Sequence, residues 1–203
     1  MKRRKTLAVL CLIVITLALP MTGVHAQDDG DVNLTFQKAA SGEGKWAGRA
    51  DVNSRSIGIE LDNDGASPFP EEQMAALEEL LADILTRHQL EPKDVIAHSD
   101  MAPERKSDPG RLFDWRRLAG KGLSVWPEPS LPGDFLRNAA SFGYPVEHGE
   151  SVVLEAFRLR FRPDATGPIG PADRAMMAGL ARQFPSDVTA RIARRITSRP
   201  VRG

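Results

Sequence analysis

Residues 71–88 carry apolar side chains at helical spacing, with a short apolar run on either side. That alternation restricts the chain to few folds. Met74, Leu77, Leu81, Ile84 and Leu85 form one stripe, which His88 joins in the last turn. Pro68-Phe69-Pro70 leads in, and Glu71 and Glu72 fill the first turn, where carboxylates complement the helix dipole. Ahead of the helix, Ser56-Ile57-Gly58-Ile59-Glu60-Leu61 alternates as a strand. Behind it, Pro92 interrupts the connection and Val95-Ile96-Ala97 opens a second strand. Strand, helix, strand in this order predicts a parallel crossover unit, and with it an α/β fold.

The two strands carry the chemistry. Ile57, Ile59 and Leu61 share one face of the first, Gly58 and Glu60 the other. Glu60 has two readings: a solvent-facing residue of an edge strand, or a carboxylate beside the space that Gly58 leaves for a ligand. His98 stands where the second apolar run stops. It opens the polar stretch His98-Ser99-Asp100-Met101-Ala102-Pro103-Glu104-Arg105-Lys106-Ser107-Asp108-Pro109-Gly110. A buried strand that delivers side chains to a site at its C-terminal edge has this form. The His98 imidazole and the Asp108 carboxylate suit zinc. Lys106 is two residues before Asp108, on the same side of an extended segment, and suits stabilisation of an oxyanion. The competing reading is a hydrogen-bonded histidine at a strand end and an ordinary Asp-Pro-Gly turn. Asp62-Asn63-Asp64-Gly65 is a turn rather than a calcium loop, because its glycine comes too early and no glutamate closes it.

The N-terminus bears on location. Met1-Lys2-Arg3-Arg4-Lys5, the apolar residues 6–19 and Val24-His25-Ala26 predict a secretory signal over residues 1–26, cleaved before Gln27. The apolar run is short for a membrane span and is followed by Pro20 and Gly23, so the mature protein is expected to have none. Cys11, the only cysteine, falls in the signal. The chain of 203 residues has 27 basic and 27 acidic side chains, and four basic but no acidic ones lie in the signal. The mature chain is thus acidic by about four charges, which gives no reason to expect nucleic acid as a partner. The expected location is exported, periplasmic or bound to the cell envelope.

Residues 27–126 read as the first domain. It holds a weak strand near Val32–Phe36 and a short closing helix over 112–118. Trp46 is a packing anchor or a sugar-facing aromatic. Residues 127–133, Pro-Glu-Pro-Ser-Leu-Pro-Gly, read as a linker. Helical patterns over 134–142, 150–161 and 171–184 predict a small three-helix module, residues 134–185. They turn Phe135, Leu136, Ala139, Val153, Leu154, Phe157, Phe161, Ala175, Met176, Leu180 and Phe184 inward. Residues 186–203 form a basic tail, with Ser186 as its cap.

Asn53-Ser54-Arg55-Ser56-Ile57-Gly58-Ile59-Glu60-Leu61, the Phe69-Pro70 helix entry and the long His98-to-Gly110 string resemble the zinc-dependent N-acetylmuramoyl-L-alanine amidases of the type-2 class. That family shares a fold with the peptidoglycan-recognition proteins, and the likeness runs from about residue 46 to 126. The later helices resemble, less specifically, a peptidoglycan-binding module, through 136–144, Ala156-Phe157-Arg158 and Gly167-Pro168-Ile169-Gly170-Pro171. The resemblance implies a partial mixed sheet flanked by helices, followed by the three-helix module. It implies hydrolysis of the amide between N-acetylmuramic acid and L-alanine, with peptidoglycan or muropeptides as partner and zinc as cofactor. By residue-level likeness His98 and Asp108 are zinc ligands, Glu60 is the general base and Lys106 holds the oxyanion. The family's first zinc ligand is a histidine in an early His-Tyr-type motif. Upstream of Ile57 this chain has only His25, inside the signal. His88 and His148 lie in a helix stripe and in the second module. The expectation is a catalytic domain shortened near its start, and the alternative is a peptidoglycan-binding protein without activity.

Overall fold

Ser56–Asn63 pairs on both sides, and the sheet is built outward from it. The computed structural model describes residues 44–52 and 56–186, and the backbone of the strands Val9–Thr16 and Leu34–Lys38. The strands are β1 (Val9–Thr16), β2 (Leu34–Lys38), β3 (Ser56–Asn63) and β4 (Val95–Ala97), in the order β2-β3-β1-β4. β1 runs antiparallel to both β3 and β4, so these two point the same way with β1 between them. α1 (Glu71–His88) joins them. The crossover unit therefore forms as the pattern predicts, stepping over one strand, and antiparallel β2 makes the sheet mixed. Val9–Thr16 belongs to the apolar stretch expected as an export signal. A short uninterrupted apolar run satisfies the demands of a signal core and of a buried strand alike. His25 and the tail beyond residue 186 lie outside the described residues.

α1 starts and stops where its stripe does. Its end is closed by Gln89 in the left-handed region (φ 53°), whose N–H reaches the Leu85 and Thr86 carbonyls. Met74, Leu77, Leu81, Ile84 and Leu85 pack on Ile57, Ile59, Leu61, Val95 and Ala97, with Phe113, Trp115 and Leu118 closing the cluster. α3 (Trp115–Gly120) begins later than the expected 112–118, because the Asp114 carboxylate caps it by accepting the Arg117 N–H at 2.8 Å.

Ile96 points away from α1 into a second cluster. It meets Trp46, Val52, Met101, Ala102 and Val125, and then residues of α4 (Phe135–Phe142), α5 (Glu150–Phe161) and α6 (Pro171–Gln183). One apolar interior thus runs from the second face of β4 into all three helices, and residues 127–133 do not separate two cores. Trp46 packs edge-on against Phe142 and Tyr144, with both ring centroids at 5.3 Å, and is a packing anchor.

The linker is itself fastened to α6. The Ser130 N–H donates to the Ala175 carbonyl at 3.0 Å, and Gln183 Nε2 donates to the Glu128 carbonyl at 2.7 Å. A Cβ on Gly179 would sit 2.1 Å from that same Glu128 oxygen. Backbone cannot yield as a flexible side chain does, so Gly179→Ala is expected to cost about 1–3 kcal/mol. In a domain of this size each kcal/mol lowers Tm by about 2–4 °C. An unchanged melting curve would show that the linker does not rest on α6.

Asp173, 1% exposed in the first turn of α6, fastens α5 to α6. Burial disfavours its charge. Arg158 at 2.7 Å, the Gly170 N–H at 2.9 Å and Arg162 at 2.6 Å outweigh that and hold the carboxyl at about 2. A lowered carboxyl stabilises the fold fully above its unfolded value near 3.8, and the contribution disappears as pH falls towards 2. That contribution is about 2 kcal/mol. Asp173→Asn is expected to be less stable at neutral pH and to show a flatter acid limb between about pH 4 and pH 2, read by urea unfolding at each pH.

Candidate active site

β4 ends at Ala97, and His98 begins a single helical turn, α2 (His98–Met101), rather than a loop. The turn forms because the Asp100 carboxylate accepts the Ala97 N–H at 2.9 Å and the Ala102 N–H donates to the His98 carbonyl at 2.8 Å. The following loop folds back on it. Arg105 and Lys106 donate their N–H groups to the Ala102 carbonyl, and the Ser99 N–H donates to the Asp108 carbonyl at 3.1 Å. The Asp108–Pro109 peptide is cis. The outcome is a hydrogen bond of 2.7 Å between His98 Nδ1 and Asp108 Oδ2, with the side chains 11% and 13% exposed. An imidazole nitrogen and a carboxylate oxygen facing one another at a nearly buried spot are donor types that zinc takes.

Glu60 lies on β3, partly buried, on the face away from Ile59, Leu61 and α1. Leu12 of β1 pairs with Glu60, and its neighbour Ile13 pairs with Ala97. Glu60 is therefore level with the strand end that carries His98, two strand spacings or roughly 10 Å away. Among the described residues its carboxylate has no hydrogen bond or ion pair. Lys106 is exposed on the loop, two residues before Asp108, and its ammonium has no carboxylate partner among the described residues.

The other two histidines stay apart. His88 ends α1, and exposed His148 lies 3.5 Å from Glu104 at the rim of the same loop. Among the described residues no third histidine, cysteine, aspartate or glutamate joins His98 and Asp108. A catalytic zinc takes three protein ligands and keeps one open position. The described residues fit two of the three.

Behind the pair lies a set of residues that the sequence reading did not single out: Asp100, Tyr144 and Arg160. The Tyr144 hydroxyl donates to Asp100 Oδ1 at 2.7 Å, and Arg160 Nη1 donates to Oδ2 at 2.5 Å. Burial, and then the Asp100 charge, push the Tyr144 hydroxyl well above its usual range, which keeps it a proton donor. A signal was available. Arg160 falls on the apolar stripe of Val153, Phe157 and Phe161, and an arginine on a buried face needs a carboxylate. An open groove of about 440 Å³ is lined by Arg111, Leu154, Glu155, Arg158 and Ile169, among others.

Comparison with known proteins agrees with this architecture. The family model for N-acetylmuramoyl-L-alanine amidases matches residues 21–111, a span that holds Glu60, His98, Lys106 and Asp108. The chain is 33% identical to the N-acetylmuramoyl-L-alanine amidase AmiD of Escherichia coli (strain K12) over 177 residues, covering 72% of this chain and 64% of that protein. It is 38% identical to the 1,6-anhydro-N-acetylmuramyl-L-alanine amidase AmpD of Enterobacter cloacae over 94 residues, covering 44% of this chain and 50% of that protein. The chain thus spans between half and two thirds of the length of these curated relatives. Among solved structures it is similar to Escherichia coli AmiD in complex with the substrate anhydro-N-acetylmuramic acid-L-Ala-D-gamma-Glu-L-Lys. The TM-score is 0.66 at 33% identity, over 72% of this chain and 69% of that one. It is also similar to AmpDh3 from Pseudomonas aeruginosa, with a TM-score of 0.62 at 26% identity, over 71% and 68% of the two chains. With a third of its aligned residues and most of its described fold in common with AmiD, the chain belongs to the N-acetylmuramoyl-L-alanine amidase family.

Proposed function

We propose that the protein hydrolyses the amide between N-acetylmuramic acid and L-alanine in peptidoglycan or its muropeptide fragments. The observation that carries this reading is the apposition of His98 Nδ1 and Asp108 Oδ2 at 2.7 Å, on a loop with the family's sequence. His98 and Asp108 would be two of the protein ligands of a zinc ion. When bound, zinc supplies Lewis-acid polarisation of the scissile carbonyl. Glu60 takes the proton from the attacking water and returns it to the departing amine of L-alanine. The Lys106 ammonium faces the oxygen on which negative charge develops. Residues 27–126 carry this chemistry, and residues 134–185 add a second surface for the glycopeptide along the groove that Arg111 helps to line.

The two-donor set favours a second reading, a peptidoglycan-binding protein without turnover. Purified sacculi incubated with the protein and zinc separate the two. Hydrolysis releases stem peptides that begin with L-alanine, detected by mass spectrometry, and a chelator stops their release. Retention on sacculi with no peptide released would overturn the enzymatic reading in favour of the second.

The protein acts in the cell envelope, reached by export. No helix among the described residues is long and apolar enough to cross a membrane. Cleavage before Gln27 would take away β1, the strand that lies between β3 and β4, so the mature N-terminus decides between the two uses of residues 9–16: Gln27 makes them a signal, and Met1 keeps them as β1.

A further inference from the structure

Arg160 carries a charge into the apolar interior, with its side chain 1% exposed. Its guanidinium carbon lies 4.1 Å from the Trp115 ring centroid and 4.9 Å from that of Phe161. A charge buried that deeply stays charged only if its partners are fixed. Nη1 donates to Asp100, two residues after His98. Nη2 donates to the Val95 carbonyl, three residues before His98, at 3.0 Å and to Ser124 Oγ at 3.1 Å. One side chain from α5 therefore grips both flanks of His98. Asp100 passes the constraint on, because the Oδ2 atom that meets Arg160 also accepts the Ala97 N–H that starts the turn. Tyr144 holds the other oxygen.

We propose that Arg160 is a positioning residue for the candidate active site: by tying Asp100 of α2 to the Val95 carbonyl of β4, it fixes the turn that aims the His98 imidazole at Asp108. Only the catalytic consequence of this rests on the amidase reading. Arg160 and Tyr144 lie beyond residues 21–111, the span matched by the family model. The helices after the linker are therefore part of the unit that holds the site, in addition to any contact they make with substrate. A planar guanidinium fork can serve the carboxylate, the carbonyl and the hydroxyl together. A lysine carries the same charge but cannot reproduce that geometry.

The test uses the full chain with Arg160→Lys, Tyr144→Phe and a control, Arg158→Lys. Arg158 sits on the same helix but is tied to Asp173 and the Gly167 carbonyl, away from His98. Three quantities are read: the imidazole nitrogen resonances of His98 in the metal-free protein, zinc affinity, and Tm. Arg160→Lys is expected to move the His98 resonances and weaken zinc binding by about 10-fold or more, the usual effect of losing a group that orients a metal ligand. Tyr144→Phe, which loses only a hydroxyl, is expected to do the same by a few-fold. It also supplies the answer if Arg160→Lys does not fold. Arg158→Lys is expected to lower Tm and leave His98 and zinc binding as they were. Unchanged His98 resonances in Arg160→Lys and Tyr144→Phe would overturn the proposal. Should the unmodified protein bind no zinc, the amidase reading fails, while the resonances still decide the positioning role.

Discussion

Glu60→Gln is expected to remove about 10²–10⁴-fold of the turnover while leaving zinc content and Tm unchanged. The amide keeps the shape of the carboxylate and loses its ability to take a proton. Nothing among the described residues depends on Glu60 as an ion-pair partner, so the substitution breaks no structural contact there. Its face of β3 is turned away from α1, which explains how a carboxylate is tolerated within a strand whose other face is a closed apolar core. Single-turnover rates on a muropeptide, measured beside metal analysis, check the assignment. A full rate in Glu60→Gln would remove Glu60 as the base, and loss of zinc would make it a ligand instead.

Lys106→Ala is expected to lower kcat by about 10²–10³-fold with a smaller change in KM, the pattern of a cation whose interaction grows as the oxyanion forms. Lys106 is exposed and outside the apolar clusters, so its loss is expected to leave the fold intact. Lys106→Arg keeps the charge and is expected to recover part of the rate. A raised KM with kcat unchanged would instead describe a residue that only binds substrate.

The local parts of this fold were legible in the sequence. α1 follows its apolar stripe from Glu71 to His88, and α5 follows its own from Glu150 to Phe161, because periodicity and proline or glycine boundaries act over a few residues. His98 and Asp108 were legible as a pair for the same reason, being ten residues apart on one loop. What escaped was decided by distant partners. The Asp100 carboxylate that caps α2 is also bonded by Arg160 and Tyr144, sixty and forty-four residues away. On α6 the sequence reading turned Ala175, Met176, Leu180 and Phe184 inward. Leu180 is buried and Met176 and Phe184 pack against the same core, but the fully buried residues beside Leu180 are Met177 and Asp173. The true face passes through a buried aspartate, and a carboxylate looks like solvent until its arginines are known. Trp46 likewise gives no hint of which rings it will meet. The linker composition suggested a spacer, yet Glu128 and Ser130 bond to α6.

The central claim is that His98 and Asp108 face each other in order to hold a metal. Zinc content after dialysis, measured for the unmodified protein beside His98→Ala and Asp108→Asn, tests it most directly. The account predicts one zinc per chain in the first and its loss in both variants, each of which keeps its helical circular dichroism. Equal zinc in all three proteins, or none in any of them, would contradict it.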